Sequence, residues 1–300
     1  MGDGLQITFW GTRGSMAAPF SDRMSYGGNT SCMSAEWEEQ MAVFDGGTGL
    51  MALGKRLGEE ANLGTRRRDQ PIHIFIGHLH LDHIVGIPLF PCLFWNGARL
   101  HFYGPGEEKG AFRKKLRTMM GHPYWPVSID QVPARITWHD TMDGDVWELP
   151  RGARVRVMKS SHPDGCVLFR LEREGQSVVY GLDCELGGSG TDFWNRYREF
   201  AKNCSLLVFD SPYGEEEYPS YRGFGHSYWQ QGIRMAGECR AGRLVISHHD
   251  WGRTDGELRA MEQEAVSFGK SRNVDTVFAR EGACLFLESF KRDGDGGEAG

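Results

Sequence analysis

Short apolar or alternating runs, each closed by Gly, Asp or Pro, recur along the whole chain. Those at 5–10, 41–44, 72–76, 99–103, 135–138, 154–158, 167–171, 177–180, 206–209, 244–246 and 284–287 have the length and β-branched content of strands. Helical periodicity is sparser. One helix is expected near 109–119. Thr254 and Glu257 spell a capping box, followed on one face by Leu258, Met261, Ala265 and Phe268, with Gly269 placed as the stop. Ser227 and Gln230 spell a second capping box, opening a helix that runs to about Glu238. The first half therefore reads as mostly strand and the second as strands interleaved with helices. The expected class is α+β, with sheets sandwiched between helices. No internal repeat or linker is visible, so 1–289 is expected to be one domain. Residues 290–300 read as a loose tail.

Composition narrows the class. Apolar residues make up 40% and charged residues 25% of the 300 positions, which excludes a fibrous or wholly disordered chain. No apolar run approaches the roughly 18 residues of a membrane span. The opening MGDGLQITFW lacks the order of a signal peptide, and Gln6 stands where N-myristoylation wants Ser or Thr. A cytoplasmic protein is expected, with no membrane partner. The net charge of −6, from 34 basic and 40 acidic residues, argues against nucleic acid as the main partner. Seven scattered cysteines, none in a C-x-x-C pair, point to a reduced chain without disulfides or a cysteine zinc site. Glycine supplies 41 of 300 residues, about 14%, against roughly 7% in average usage. That excess suits a fold whose site sits on tight loops.

The histidines carry the chemistry. Of eleven, seven fall in four short segments: His78, His80 and His83; His162; His226; His248 and His249. The first segment, FIGHLHLDHIVG, follows directly on the strand-like run 72–76. In extended chain, residues two apart share a face, so His78 and His80 can hold one metal together. Asp82 and His83 sit where the chain turns and can face a second. Imidazole and carboxylate suit Zn²⁺, with Mn²⁺ and Fe²⁺ as alternatives. Three further segments put a donor just past a strand-like run: His162 after 154–158, Asp183 after 177–180, and His248-His249 after 244–246. Ligands at strand ends are how a rigid sheet edge pre-positions a site.

These segments, in this order, resemble the metallo-β-lactamase fold superfamily of metallohydrolases, most specifically the subgroup related to ribonuclease Z and cyclic-phosphate phosphodiesterases. WGTRGS at 10–15, YGGNTSC at 26–32, FDGGTG at 44–49, GHLHLDHIVGIP at 77–88, YGLDCE at 180–185, GFGHS at 223–227 and SHHD at 247–250 carry the likeness. The resemblance implies a four-layer αββα sandwich with its site on the edge loops. It implies two divalent ions: His78, His80 and His162 on the first, Asp82, His83 and His248 on the second, and Asp183 bridging. His248 and His249 compete for one place. His248 is preferred because it directly follows the strand-plus-Ser pattern, and His249 is left a supporting place. Asp45 and Asp210 are expected to support the site by hydrogen bonding. Gly77 and Leu81 depart from the common form of the motif, but neither is a ligand.

Two such ions lower the pKa of a shared water and neutralise charge on a phosphodiester. Asp82 is expected to orient that water as well as bind metal. His226, before the Ser227 cap, is the expected partner of the leaving oxygen, at a helix N-terminus that favours an anion. Arg13 and Ser15 in one Gly-rich turn, Asn29 and Thr30 in another, and Ser227 are candidate substrate contacts. Tyr213, Tyr218, Tyr228 and Trp229 are candidates to stack on a base. The leading expectation is a phosphodiesterase for a small cyclic nucleotide or related cyclic phosphate. The alternatives are a ribonuclease Z-like endonuclease, a lactone or thioester hydrolase, and a metal-free binding module. A long basic arm to grip tRNA is not visible. Relatives often dimerise, and nothing in the sequence fixes a dimer face.

Overall fold

The computed structural model describes residues 4–288. The expected tail at 290–300 lies outside them. Among the described residues, fourteen strands form two seven-stranded sheets. The first sheet contains β1 (Leu5–Gly11), β2 (Cys32–Trp37), β3 (Gln40–Phe44), β4 (Ile72–Phe75), β5 (Arg99–Pro105), β6 (Arg135–Thr141) and β14 (Cys284–Leu287), in the order β14-β1-β2-β3-β4-β5-β6. The second contains β7 (Val146–Glu148), β8 (Arg154–Lys159), β9 (Val167–Arg173), β10 (Gln176–Gly181), β11 (Leu206–Asp210), β12 (Leu244–Ser247) and β13 (Thr276–Phe278), in the order β13-β12-β11-β10-β9-β8-β7.

The inner faces of the two sheets interdigitate. Phe44 of β3 meets Phe169 of β9 and Tyr180 of β10, with ring centroids 5.9 and 5.5 Å apart. Phe75 of β4 meets Phe169 edge-on at 5.4 Å. Burying aromatic rings from both sheets is what holds the layers together. Each outer face is covered by helices. On the first sheet lie α1 (Gly49–Asn62) and α3 (Ala111–Met119), burying Leu50, Leu53, Leu57, Phe112 and Leu116. The short turn α2 (Leu81–Ile84) lies on the same side. On the second sheet lie α4 (Gly190–Phe200), α5 (Trp229–Cys239) and α6 (Asp255–Lys270). The expected αββα sandwich is the observed one.

Strand direction decides where the site forms. β3 to β6 run parallel, and so do β10 to β13, each joined by crossovers. β8 runs antiparallel to β9, and β9 antiparallel to β10, so β8 points the same way as β10. The C-terminal ends of β8, β10, β11 and β12 therefore share one edge, where ligands collect in parallel sheets.

Several local expectations change in the structure. The strands β2, β7 and β13 and the helices α1 and α4 were not legible. Helix α1 has no local start signal, because Thr48 does not cap it; Thr48 Oγ1 instead accepts the Thr30 N–H at 2.8 Å. The capping box of α6 forms as expected, with Thr254 Oγ1 accepting the Glu257 N–H and Glu257 accepting the Thr254 N–H. Gly269 does not stop α6. It lies buried within the helix, where a Cβ would fall 2.5 Å from Thr276 Oγ1. The Ser227 capping box does not form. Helix α5 starts at Trp229, and Gln230 accepts the Glu215 N–H instead.

Arg13 is the largest revision. Its side chain is buried and donates to four carbonyls: Gly27 at 2.7 Å, Asp250 at 3.0 Å, Arg253 at 2.8 Å and Arg23 at 2.9 Å. The guanidinium is thus saturated by backbone and does not face substrate. It ties the loop after β1 to those after β12 and before β2. All seven cysteines are free, six of them buried. No helix among the described residues is long and apolar enough to cross a membrane. Arg13→Ala leaves four buried or part-buried carbonyls short of a donor, so it is expected to destabilise the protein by about 3 kcal/mol. Urea unfolding measures this; an unchanged midpoint with a raised KM would return Arg13 to the substrate.

Candidate metal centre

The donors arrive from strand ends. His78 follows β4 by three residues, and His80 lies two further on in extended backbone at φ −62°, ψ 148°. The turn α2 then swings Asp82 and His83 back toward the sheet edge. His162 follows β8, Asp183 follows β10, and His248 directly follows β12. Five sets of side chains bring their ligand atoms within 4.8 Å of one another: His78, His80 and His162; Asp82, His83 and His248; His78, His83 and Asp183; His162, Asp183 and His226; and Asp210, His226 and His248. Asp183 is central. Its Oδ1 lies 3.8 Å from His78 Nε2, 3.9 Å from His162 Nε2 and 3.5 Å from His248 Nε2, and its Oδ2 lies 3.1 Å from His83 Nε2. Every one of these groups is buried except His80, whose side chain is 44% exposed.

The polar groups themselves fit a pair of cations. Both ring nitrogens of His78, Nε2 of His83 and Oδ2 of Asp183 are buried without a hydrogen bond. Orphaned buried groups are costly unless something pairs with them, and a divalent ion does so for several at once. The mixture of imidazole and carboxylate suits Zn²⁺ and its borderline neighbours.

A supporting layer aims the donors. His83 Nδ1–H donates to Asp45 Oδ2 at 2.7 Å, and Asp45 also accepts the Tyr180 hydroxyl at 3.0 Å and the Gly77 N–H at 2.8 Å. His162 Nδ1–H donates to the Gly225 carbonyl at 2.9 Å. Asp210 Oδ1 lies 3.4 Å from His248 Nδ1. For His83 and His162 the bond at Nδ1 leaves Nε2 facing the cluster, and the Asp210 carboxylate lies against Nδ1 of His248 without a hydrogen bond. The space is tight: a Cβ on Gly225, at φ +87°, would sit 2.1 Å from His162 Nδ1, and one on Gly14 would sit 2.3 Å from the His248 ring. Asp45, Asp183 and His248 hold φ of +62°, +57° and +60°. Three non-glycine residues in the left-handed region are a local strain that the surrounding bonds must offset.

Electrostatics follow from burial and crowding. Burial and the neighbouring His83 hold His78 well below the usual imidazole range. Burial would also lower His83 and His248, but the Asp183 carboxylate overrides it and raises both. Burial would raise Asp183, yet the imidazoles of His248, His83 and His78 bring it well below the usual carboxylate range.

His226 stands beside the donors, its Nδ1 3.9 Å from Asp183 Oδ1 and its ring stacked on His248 at 5.0 Å. Its Nδ1 pairs with Asp210 Oδ2 at 2.9 Å, and Asp210 also accepts the Cys184 N–H at 3.1 Å. Burial would lower His226, but the Asp210 carboxylate raises it. A carboxylate, not the expected helix N-terminus, therefore sets its charge, since α5 begins three residues later. His226 lines a cleft of about 280 Å³ with Ser15, His80, Leu81, Asp82, Asp183 and His248. A larger hollow, about 500 Å³, lies at the opposite end of β8 to β10, between Glu148, Arg154, Arg170 and Glu172, away from every donor set.

The remaining sequence candidates separate. Ser15 reaches the cleft, and its N–H donates to Asp82 Oδ2 at 2.7 Å. Asn29 does not: its N–H and its Nδ2 donate to Glu281. Thr30 is buried in a reciprocal pair, its N–H on Thr48 Oγ1 and its Oγ1 on the Thr48 N–H, both at 2.8 Å. Ser227 is buried, donating to Cys184 O at 2.6 Å and accepting the Leu186 N–H at 3.0 Å. All three, like Arg13, are spent on scaffold. His249 turns away from the cluster, with Nε2–H donating to Ala279 O at 2.9 Å and its ring stacked on Phe278. Tyr213, Tyr218, Tyr228 and Trp229 are buried and offer no open face. Two participants were missed: Tyr180, which anchors Asp45, and Glu185. Buried Glu185 accepts the Tyr218 hydroxyl at 2.6 Å, the Gly223 N–H at 2.8 Å and the Gly225 N–H at 3.0 Å. Its place in YGLDCE, two residues past Asp183, was the available signal.

Comparison with known proteins agrees with this fold. A family model described as a beta-lactamase superfamily domain matches residues 40–249. Ribonuclease Z from Natronomonas pharaonis is 28% identical over 305 aligned residues, covering 87% of this chain and 92% of its own. The metallo-beta-lactamase fold protein YhfI from Bacillus subtilis superposes with a TM-score of 0.66 at 17% identity, covering 95% of this chain and 100% of its own. Unliganded yeast PDE1 gives a TM-score of 0.66 at 14% identity, covering 95% and 100%. The chain belongs to the beta-lactamase superfamily, as a metal-dependent hydrolase of the metallo-β-lactamase fold.

Proposed function

We propose that this hydrolase is a two-metal phosphodiesterase that opens a small cyclic nucleotide or related cyclic phosphate. One observation carries the reading: His226 lines the cleft beside the donor cluster, with Nδ1 fixed on Asp210 and no hydrogen bond on Nε2 among the described residues. A raised, buried imidazolium is suited to protonate a leaving alkoxide. Lactone and thioester hydrolysis place less demand on such a group.

His78, His80 and His162 would hold one ion, Asp82, His83 and His248 the other, with Asp183 between them; Zn²⁺ is the proposed metal. When bound, the pair supplies an activated water and neutralises charge on the phosphoryl oxygens. The residues of the chain do the rest. Asp82, steadied by the Ser15 N–H, orients the attacking water. Asp210 stabilises the imidazolium of His226, and Nε2–H gives its proton to the departing ester oxygen as the P–O bond breaks. The products are a phosphomonoester and an alcohol. The small cleft suits a compact substrate. The Ribonuclease Z name of the Natronomonas relative supports a second reading, cleavage of a tRNA precursor. The acidic net charge of −6 disfavours it.

Metal analysis by inductively coupled plasma mass spectrometry is expected to find about two equivalents per chain, and His80→Ala about one. His226→Ala is expected to keep both metals and lose on the order of 10²–10⁴ in kcat on a cyclic nucleotide. The loss on bis(p-nitrophenyl) phosphate is expected to be much smaller, because p-nitrophenolate leaves without a proton. Equal losses on the two substrates would remove the acid role from His226. A panel of 3′,5′-cyclic nucleotides, 2′,3′-cyclic nucleotides and pre-tRNA ranks the readings; turnover of pre-tRNA alone would overturn the first.

A further inference from the structure

The cleft is lined by polar side chains and one apolar residue, Leu81, and two further exposed apolar residues lie close to its lining in the chain. Met16 is 60% exposed, Leu81 62% and Phe224 61%. Each is tied to the site by its neighbours in the chain. Met16 follows Ser15, whose N–H bonds Asp82. Leu81 lies between His80 and Asp82 and forms part of the cleft wall. Phe224 precedes Gly225, whose carbonyl holds His162 Nδ1 and whose Cα lies hard against that ring. Exposed apolar side chains scattered singly mean little, but Leu81 in the cleft wall, with Met16 and Phe224 each next in the chain to a residue of the site, points to a binding surface.

Phe224 is not loosely displayed. Tyr213 meets His226 edge-on at 6.4 Å, Tyr221 stacks on Tyr213 at 4.1 Å and 8°, and Phe224 meets Tyr221 edge-on at 6.0 Å and 81°. The aromatic series runs from the leaving-group histidine outward and ends in an open ring. The loop beneath is clasped by buried Glu185, which accepts the N–H groups of Gly223 and Gly225 on either side of Phe224. A ring held by its backbone and by one T-shaped contact, yet largely exposed, is pre-ordered to stack on a flat partner at small entropic cost.

Resting on the phosphodiesterase reading, we propose that Phe224, with Met16 and Leu81, forms an apolar collar that seats the aromatic base of a small nucleotide while its phosphate lies on the cleft floor. The polar floor fixes the phosphate, so the rim meets whatever the phosphate is attached to. Glu185 is the positioning residue that keeps Phe224 over the mouth.

The test separates the collar from the chemistry. Binding of adenosine 5′-monophosphate and of ribose 5-phosphate to the metal-loaded protein is measured by calorimetry. The two ligands share a phosphate and a ribose and differ by the base. The wild type is expected to prefer adenosine 5′-monophosphate by on the order of tenfold, the range of one base–aromatic stack. In Phe224→Ala the ratio falls toward one, and in Phe224→Trp it is kept. Equal binding of both ligands by the wild type overturns the collar, even if phosphodiesters are hydrolysed. A base preference without phosphodiester hydrolysis overturns the proposed activity and leaves the collar standing. A change of oligomeric state in Phe224→Ala, with the ligand ratio intact, assigns the rim to a second copy of the chain and also overturns the proposal.

Discussion

The structure turns on Asp183. This carboxylate is 2% exposed, and an ionised carboxylate cannot stay buried without compensating charge. Its compensation comes from His83 and His248, whose Nε2 atoms lie 3.1 and 3.5 Å from its oxygens, with His78 and His162 packed beside it at 3.8 and 3.9 Å. These rings come from three separate parts of the chain. The sandwich must therefore close around one point for the charge there to be tolerated. The same crowding that makes the site costly in its bare form makes it receptive to cations, because several of its polar atoms have no other partner.

The layer behind the donors solves an orientation problem. A histidine ring can present either nitrogen, and only a bond to one fixes the other. Asp45 does this for His83, Asp210 for His226, and a backbone carbonyl does it for His162. Left-handed backbone occurs at eight other described non-glycine residues, such as Glu38 and Asn203, but at Asp45, Asp183 and His248 it falls on this layer and the donors it serves. Strain persists there because hydrogen bonds and packing from several elements over-determine each position. Phe224 belongs to the same construction: Glu185, two residues past Asp183, orders the loop that carries it.

Much of the architecture was legible. The strands lining the core announced themselves by short β-branched runs, since a strand buried between two layers needs such residues on both faces. The candidate donors stood out by type and spacing and by following those runs, and the fold brings them together. The elements missed were those whose signals are not local. Helix α1 starts at a threonine committed to another loop. Strand β2, CMSAEW, mixes small and polar residues and is held by register with β1 and β3. Ser227 with Gln230 looks like a capping box, but each side chain found a stronger claim elsewhere.

By itself, the sequence determined the alternation of strands and helices, the class of the fold, and a donor set of histidines and aspartates placed after strands. Period and spacing are properties of neighbouring residues, so they can be read in one dimension. Tertiary structure alone decided which polar side chains face the cleft and which hold the scaffold. Arg13, Thr30 and Ser227 carry the same groups a substrate site would use, yet each is saturated by backbone or side-chain partners tens to hundreds of residues away in most cases. A hydrogen bond is made with whatever the fold brings within about 3 Å, and sequence distance says nothing about that.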